Sequence, residues 1–454
     1  MSFVSINPAT GEEVFREEGH SDKQVDEILS LAESAAPEWR GRSVDERVEV
    51  LSKAAKFLRD ETDELARIIT LEMGKLYSEA KSEVEKCAWV CEYYAEEAAG
   101  FVEDEVIGTD ASRSLVAYQP LGTVLAVMPW NFPFWQVFRF AAPALAAGNT
   151  ALLKHASNVS QCGLAIERVF QEAGVPAGVF RTLLVRSDGM EKIIGDRRVH
   201  AVTLTGSDAA GRSVAKIAGQ HLKKTVLELG GSDAFIVLPD ADLDEAVAQG
   251  VKSRFQNGGQ SCIAAKRFIL VEAVADEFRE RFREQVEALK PGDPFDEDTT
   301  LAPMARADLR DELDAQVRDA LREDASLVTG CKPLDREGFY YAASIIDGIS
   351  PGMRAWSEEL FGPVATMVTV RDADEAVEVA NASDFGLGGS VWTRDVARGE
   401  YIARRLECGA AFVNGMVKSD PRLPFGGVKE SGYGRELARH GIREFVNAKT
   451  LWVK

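Results

Sequence analysis

The sequence predicts an α/β protein with two domains, each built on a mostly parallel β-sheet. Three observations carry this prediction. After residue 120, short apolar runs alternate with helical patterns, as they do in βαβ units. Residues 22–100 show only helical periodicity. The glycine pair Gly230–Gly231 separates two successive series of predicted strands, so we expect a hinge there.

Residues 22–100 are predicted to be helical. Ser43 and Glu46 have the spacing of a capping box, in which each side chain accepts a hydrogen bond from the other's backbone N–H. The periodic run behind them ends near Gly74, and a second amphipathic run covers about 78–98.

Apolar runs bounded by polar or glycine-containing segments predict the strands. The first series comprises residues 123–128, 150–154, 179–185, 200–205 and 225–229, and the second begins at 233–238 and continues past 268–271 and 364–370. Parallel strands of an open sheet present their carboxyl ends to the ligand crevice, so the residues that follow these runs are candidates for a site.

The overall charge argues against some classes of partner. The chain has 454 residues, of which 53 are basic and 73 acidic, and its net charge is −20. Such a surface repels nucleic acid and anionic lipid, so we predict neither as a partner. The N-terminus lacks a secretory pattern, and the most apolar segment, 121–153, is interrupted by prolines and an arginine. We therefore expect a cytoplasmic protein.

The cysteine and histidine content predicts no metal site. Six cysteines in a chain of this length do not form a disulfide framework. Cys87 and Cys91 lie four residues apart on a predicted helix, but no second pair with ligand spacing follows, and the chain has five histidines.

Two short motifs contain candidate catalytic residues. Cys262 ends the run Gly-Gly-Gln-Ser-Cys, where glycines allow close backbone approach and a thiolate can act as nucleophile. The alternative is a structural thiol on a turn. Glu228 ends a predicted strand just before the glycine pair, a position suited to a general base with a raised pKa. The alternative is an ordinary carboxylate at a strand end.

Three further motifs follow or precede predicted strands. Asn131 lies between two prolines and can donate to an oxyanion, or it can cap a turn. Gly206 and Ser207 begin a helix, where backbone N–H groups attract phosphate. The stretch 206–213 has P-loop spacing, but Arg212 replaces the lysine, so nucleotide hydrolysis is a minor alternative. The Glu359 carboxylate can hydrogen-bond ribose hydroxyls and Phe361 can pack on a ring, and the alternative is an ordinary loop before a strand.

These motifs occur together in a characteristic order. They are Pro-Trp-Asn-Phe-Pro (129–133), Thr-Gly-Ser (205–207), Leu-Glu-Leu-Gly-Gly (227–231), Gly-Gly-Gln-Ser-Cys (258–262), Glu-Leu-Phe-Gly-Pro (359–363) and the run 424–436 that ends in Gly-Arg-Glu. In this order they resemble the aldehyde dehydrogenase superfamily along nearly the whole chain. The stretch Lys154–Ala156 resembles the succinate-semialdehyde dehydrogenases.

The resemblance implies roles for these residues. Cys262 would be the nucleophile, Glu228 the base that activates the deacylating water, and Asn131 with the Cys262 backbone N–H the oxyanion hole. Residues expected at an NAD or NADP site are Trp130, Lys154, Ser157, Gly206, Ser207, Leu229, Glu359 and Phe361. NAD-preferring relatives often carry Glu where this chain has Ser157, so we expect NADP to be accepted, with NAD also open.

The resemblance also implies the domain layout of an aldehyde dehydrogenase-like fold. A cofactor-binding domain would comprise residues 1–101 and 121–230, and a catalytic domain would comprise 231–443. A small β arm of residues 102–120 and 444–454 would join copies of the chain into a homodimer or homotetramer.

Arg139 is the candidate for substrate selection. A helix starting at Asn131 would place residues 131, 135 and 139 on one face, with Arg139 roughly 12 Å from Asn131. Arg139 would pair with the distal carboxylate of a short semialdehyde, unless it forms a structural ion pair. The resemblance adds Ser419 to this site beside Trp135, with Arg422 as a rival cation.

Succinate semialdehyde is therefore the expected substrate. The alternatives are glutarate semialdehyde, an uncharged aldehyde, or ester hydrolysis without a cofactor. A crystallin-like structural role would predict loss of Cys262 or Glu228, and both are present.

Overall fold

A computed structural model of the chain describes residues 2–454. The helices are α1 (Asp22–Gly41), α2 (Val44–Asp60), α3 (Thr62–Met73), α4 (Tyr77–Phe101), α5 (Trp135–Ala146), α6 (Ser160–Glu172), α7 (Met190–Gly195), α8 (Asp208–Gln220), α9 (Leu243–Phe255), α10 (Glu272–Glu287), α11 (Ala307–Arg322), α12 (Arg354–Ser357), α13 (Ala373–Asn381), α14 (Val396–Ala403) and α15 (Ala438–Glu444). Short 3-10 turns occur at Ser157–Val159, Ser187–Gly189 and Gln256–Gly259.

The strands form two large and three small sheets. They are β1 (Ser2–Ile6), β2 (Glu13–Glu18), β3 (Glu105–Val106), β4 (Arg113–Pro120), β5 (Thr123–Met128), β6 (Thr150–His155), β7 (Phe180–Thr182), β8 (Ala201–Thr205), β9 (Lys224–Glu228), β10 (Asp233–Val237), β11 (Ala265–Val271), β12 (Ser326–Thr329), β13 (Ser344–Asp347), β14 (Val364–Val370), β15 (Phe385–Gly386), β16 (Gly388–Trp392), β17 (Ala410–Val413), β18 (Val428–Lys429), β19 (Gly432–Tyr433) and β20 (Val446–Val453).

The first large sheet has six strands in the order β19-β9-β8-β5-β6-β7. Strands β9 to β7 are parallel, and β19 adds to the edge in the antiparallel direction. Nearly every residue of β5, β6 and β8 is buried, as expected for parallel strands covered on both faces. Strand β7 is shorter than predicted because Leu184 hydrogen-bonds with His20 instead of continuing the sheet.

The second large sheet has seven strands in the order β12-β13-β14-β11-β10-β16-β17. All pairs are parallel except β12 with β13. The two mostly parallel sheets confirm the predicted fold class. Because β19 returns to the first sheet opposite Glu228, the segment 424–436 lies beside the carboxyl end of β9.

The N-terminal helices begin and end where local sequence signals place them. Ser43 and Glu46 form the predicted capping box, with each side chain accepting from the other's backbone N–H. Helix α3 ends at Gly74, which has φ 82°, a conformation that glycine adopts without strain.

A three-stranded antiparallel sheet contains both segments predicted to form the arm. Strand β20 pairs with β4 from Val446 opposite Pro120 to Val453 opposite Arg113, and β3 pairs with the other edge of β4. Several large apolar side chains of this sheet and its adjoining loop are exposed, namely Val106, Ile107, Leu451, Trp452 and Val453. Within residues 2–454, no helix has the length and apolar character needed to cross a membrane.

Candidate active site

Cys262 lies on the wall of a cavity of about 490 Å³. Helices α4 and α5 and the segments 255–263 and 416–425 supply most of this wall. The candidate substrate residues Trp135, Arg139 and Ser419 lie on the same wall. The structure therefore brings the predicted nucleophile and the predicted substrate residues together.

The nucleophile loop, residues 256–262, has an unusual backbone. Asn257, Gly258 and Gly259 all have positive φ, at 56°, 62° and 74°. A Cβ atom on Gly259 would collide with the backbone of Gly362 in the Glu-Leu-Phe-Gly-Pro motif. The buried guanidinium of Arg254 donates to the carbonyl oxygens of Gly259 and Gly362, which ties the two motifs together.

The glycine pair between the two strand series is needed for close packing. A Cβ on Gly231 would lie 2.6 Å from the carbonyl oxygen of Cys262, and one on Gly230 would lie 2.5 Å from Glu359 Oε2. Any side chain at either position would therefore displace the nucleophile loop or the Glu359 carboxylate.

Lys266 is a buried cation under the nucleophile loop. Its Nζ donates to the carbonyl oxygens of Ser261 at 2.9 Å and Cys262 at 2.8 Å. It also forms an ion pair with Glu359 at 2.9 Å. The ammonium is 1% exposed, so these contacts replace its hydration. Sequence reasoning missed this residue.

The Cys262 thiol lies in an environment that favours its protonated form. Burial raises its pKa to about 12, and the nearby charges of Lys266 and Arg139 act in the opposite direction. Attack by this sulfur therefore requires removal of its proton.

Glu228 ends β9 and is 2% exposed. Neither carboxylate oxygen has a hydrogen-bond partner among the described residues. Burial, followed by the charge of neighbouring Glu436, raises the pKa of Glu228 well above its usual range. Glu228 makes no hydrogen bond to Cys262, but the charge of Arg139 acts on both groups.

Asn131 is held against the nucleophile loop. Its Nδ2 donates to the backbone carbonyl oxygen of Gln260 at 3.1 Å, and the backbone carbonyl oxygen of Asn131 accepts from Asn257 Nδ2 at 2.8 Å. An amide nitrogen carries two N–H groups, so one is left to donate to an oxyanion.

The prediction that Asn131 lies on one helix face with Trp135 and Arg139 is wrong. Helix α5 begins at Trp135, because Phe132 precedes Pro133 and is disfavoured in the helical conformation. The Glu83 carboxylate accepts from the backbone N–H groups of Phe134 and Trp135, both at 2.9 Å, and so defines the helix start. Trp135 and Arg139 still share one face.

Arg139 forms a buried ion pair with Glu436, at the end of the Gly-Arg-Glu motif. Its guanidinium also lies 4.7 Å from the centre of the Phe425 ring. Arg139 therefore forms a structural ion pair, which was the alternative to carboxylate binding, and it also lines the cavity. The rival cation Arg422 pairs with Asp420 at 2.7 Å and lies over the Trp89 ring.

Ser419 is the acceptor for two donors on the cavity wall. Trp135 Nε1 donates to Ser419 Oγ at 3.1 Å, and Lys86 Nζ donates to the same oxygen at 2.8 Å. Lys86 was missed, because nothing in the sequence of helix α4 distinguishes it from a solvated lysine.

The candidate cofactor residues lie at the carboxyl ends of strands in the first sheet and on the facing Glu-Leu-Phe-Gly-Pro loop. Ser207 caps helix α8, and the Gly206 N–H donates to the Glu228 carbonyl at 3.0 Å. Leu229 packs so tightly that a Cβ on Gly211 would lie 2.6 Å from it. Trp130 and Phe361 meet edge to face with centroids 5.7 Å apart.

A second group of polar residues follows β6. Lys154 is buried, and burial lowers its pKa; no carboxylate of the described residues pairs with it. Ser157 is exposed, and both polar side-chain atoms of Asn158 are buried without a partner. This donor-rich set fits an anionic, hydroxylated ligand such as a phosphorylated ribose.

The P-loop alternative loses its support. Arg212, which occupies the position of the phosphate-binding lysine, forms an exposed ion pair with Glu430 at 2.7 Å. Among residues 2–454, no group of three or more His, Cys, Asp or Glu side chains has an arrangement that could hold a metal ion.

Comparison with known proteins identifies the family of the chain. The sequence pattern of the aldehyde dehydrogenase family matches residues 1–451. The chain belongs to the aldehyde dehydrogenase family.

Two curated relatives and one solved structure are similar to the chain along nearly its whole length. The chain is 51% identical over 453 residues to the "Probable succinate-semialdehyde dehydrogenase [NADP(+)]" of Synechocystis sp., with both chains fully covered. It is 50% identical to the succinate-semialdehyde dehydrogenase [NADP(+)] of Mycobacterium avium, covering 100% of this chain and 97% of that one. The crystal structure of a Streptococcus pyogenes succinic semialdehyde dehydrogenase with NADP+ superposes with a TM-score of 0.98 at 38% identity, covering 99% of both chains.

We expect alkylation of Cys262 by iodoacetamide to be slow at pH 7 in the cofactor-free protein. Because burial raises the thiol pKa to about 12, the rate should increase about tenfold per pH unit up to pH 9 without a plateau. Mass spectrometry of the labelled peptide measures this rate, with Cys262→Ala as the background for other cysteines. A plateau below pH 8 would contradict the raised pKa.

Proposed function

We propose that this chain oxidises succinate semialdehyde to succinate with NADP+. The observation that carries the proposal is that Cys262 shares one cavity with a set of hydrogen-bond donors, Ser419, Trp135 and neighbouring cations, suited to a carboxylate. The names of the relatives at 50–51% identity support the same substrate.

The first half of the reaction takes place on Cys262. The Cys262 thiol first loses its proton to water or hydroxide that enters the cavity. The thiolate then adds to the aldehyde carbonyl to give a thiohemiacetal, and the developing oxyanion accepts hydrogen bonds from Asn131 Nδ2 and the Cys262 backbone N–H. Each such donor typically lowers the barrier by about 3–4 kcal/mol. Loss of hydride from the thiohemiacetal carbon leaves a thioester on Cys262, and a bound nicotinamide cofactor would supply the hydride acceptor that no side chain provides.

The second half releases the product from the thioester. Glu228 takes a proton from water, and attack of that water on the thioester carbon expels the Cys262 sulfur and frees succinate. Because the Glu228 carboxylate lacks hydrogen-bond partners and its pKa is raised, it is a stronger base than an exposed glutamate once ionised.

The cofactor residues divide into two groups. Lys154 and Ser157 would bind the adenosine ribose and its 2′-phosphate, since Lys154 is an unpaired cation and Ser157 an exposed donor. Ser207, at the start of α8, would bind the pyrophosphate with Gly206 and Leu229 shaping its surroundings. Trp130, Glu359 and Phe361 would line the nicotinamide end.

The assembly and domains form a further part of the proposal. The cofactor-binding domain would comprise residues 1–101 and 121–230, and the catalytic domain 231–443. The three-stranded sheet would join copies of the chain into a homodimer or homotetramer, because β20 has a free edge and exposed apolar side chains. We place the enzyme in the cytoplasm, in keeping with its acidic surface.

The proposed reaction predicts NADPH formation with succinate semialdehyde, at a kcat/KM at least about tenfold above that for butanal, which has the same chain length but no charge. Cys262→Ala should abolish oxidation while NADP+ still binds. Glu228→Gln should give a single-turnover burst of NADPH that then stalls. Absorbance at 340 nm measures NADPH formation in all three cases, and isothermal titration calorimetry measures NADP+ binding to Cys262→Ala. Equal preference for the two aldehydes would refute the substrate.

Ser157→Glu should shift the cofactor preference towards NAD+. A carboxylate at this position repels a 2′-phosphate and can accept from ribose hydroxyls, so kcat/KM for NADP+ should fall roughly 10- to 100-fold. The matched control is Ser187→Glu, an exposed serine that also begins a 3-10 turn. An unchanged NADP+/NAD+ ratio would remove Ser157 from the cofactor site.

Placing charge on the apolar positions of β20 should reduce the number of chains in the assembly. We expect the double variant Leu451→Glu/Val453→Glu to give a smaller particle than the wild type by light scattering, because both apolar side chains would be buried by a second copy. Thr450→Glu on the same strand is the control. Equal masses for the two variants would place the contact elsewhere.

A further inference from the structure

The cations on the cavity wall differ in what they already bind. They are Lys75, Lys86, Arg139, Lys252 and Lys418. Lys75 is buried and paired with Glu83, and Arg139 is paired with Glu436. Lys252 and Lys418 are exposed to solvent. Lys86 is partly buried and has no carboxylate within ion-pair distance among the described residues.

The contacts of Lys86 orient it towards a ligand. Its Nζ donates to Ser419 Oγ at 2.8 Å and lies 4.2 Å from the centre of the Trp135 ring. An ammonium group has three N–H donors, so at least one is left after the bond to Ser419 and the contact with the ring. The ring contact fixes the side chain over Trp135.

Ser419 adds a second free donor beside this ammonium. Its oxygen accepts from both Lys86 Nζ and Trp135 Nε1, which occupies its acceptor capacity. The hydroxyl hydrogen must therefore point elsewhere, and it is available to an acceptor. Lys86 and Ser419 together offer donors and no free acceptor, which is the complement of a carboxylate.

We propose that Lys86, with the Ser419 hydroxyl, binds the distal carboxylate of the aldehyde substrate directly and thereby determines specificity for semialdehydes. The proposal rests on the proposed oxidation of an anionic aldehyde. Arg139, which pairs with Glu436, lines the same cavity and remains a second cation close to the substrate carboxylate.

The electrostatic environment of Lys86 supports this role. Burial lowers its pKa to about 8, and the charge of Arg139 on α5 acts in the same direction. Glu83 and Cys87 on its own helix and Asp420 on the segment before the Pro-Phe-Gly-Gly motif act in the opposite direction. The ammonium is therefore charged at pH 7 and loses its charge as the pH rises through about 8.

Lys86→Met tests the proposal directly. We expect KM for succinate semialdehyde to rise roughly 10- to 100-fold, because one charged hydrogen bond to the substrate is lost, while kcat/KM for butanal stays within about twofold. Lys86→Arg should recover part of the loss. The matched control is Lys81→Met, a lysine on the same helix that also lies over an aromatic ring but pairs with Asp63 outside the cavity.

Inhibition by succinate provides a readout that does not depend on the physiological substrate. Succinate should inhibit butanal oxidation competitively in the wild type, and its inhibition constant should rise in Lys86→Met by the same factor as the KM for the semialdehyde. If the wild type does not prefer the semialdehyde, the proposed function fails. If it does, and Lys86→Met keeps both that preference and succinate inhibition, the role of Lys86 alone is overturned.

The pH dependence tests the same role in the unaltered protein. In the wild type, the ratio of kcat/KM for succinate semialdehyde to that for butanal should fall as the pH rises above about 8. Groups common to both reactions, such as Cys262 and Glu228, cancel in this ratio. The ratio should be flat between pH 7 and 9 in Lys86→Arg, whose guanidinium stays charged. A flat wild-type ratio would contradict the proposal.

Discussion

The close backbone contact of three loops is the constraint on which the rest of the site depends. The nucleophile loop packs against Gly231 on one side and Gly362 on another, with no room for a Cβ atom at Gly231 or Gly259. Two buried cations, Arg254 and Lys266, bind the carbonyl oxygens that this packing brings together. The position of the Cys262 main chain is therefore fixed by main-chain packing.

The charges in the site form two separate groups. One group is buried beside the carboxyl end of β9 and comprises Glu228, Glu436 and Arg139. Because one cation faces two carboxyl groups, one of the two carboxyl groups is favoured in its neutral form. Lys86 lies on the cavity wall, hydrogen-bonded to Ser419, with no carboxylate within ion-pair distance among the described residues. In a chain of net charge −20, this cation without an ion-pair partner is where we propose that an anionic substrate binds.

The sequence was sufficient to predict two mostly parallel sheets and to single out candidate residues for the site. Apolar runs located the strands because parallel strands buried on both faces are continuously apolar, and ordered motifs located Cys262, Asn131 and Glu228. It was not sufficient for contacts between distant segments. The ion pair of Arg139 with Glu436 and the bond of Lys86 with Ser419 join residues about 300 or more positions apart, and nothing in the sequence near either residue of a pair identifies its partner. The start of α5 was misplaced because it depends on Glu83, a residue of another helix.

The Glu83 carboxylate has a mechanical consequence for the cavity. It accepts hydrogen bonds from the N–H groups of Phe134 and Trp135 at the start of α5 and also pairs with the Lys75 ammonium. Helix α4 therefore cannot slide along α5 without leaving buried polar groups unsatisfied. Lys86 lies less than one turn beyond Glu83, and Trp135 is one of the residues whose N–H it accepts. Helices α4 and α5 are thus held in a constant register. A ligand that reached from Cys262 to the proposed site at Lys86 would have to match the fixed distance between them.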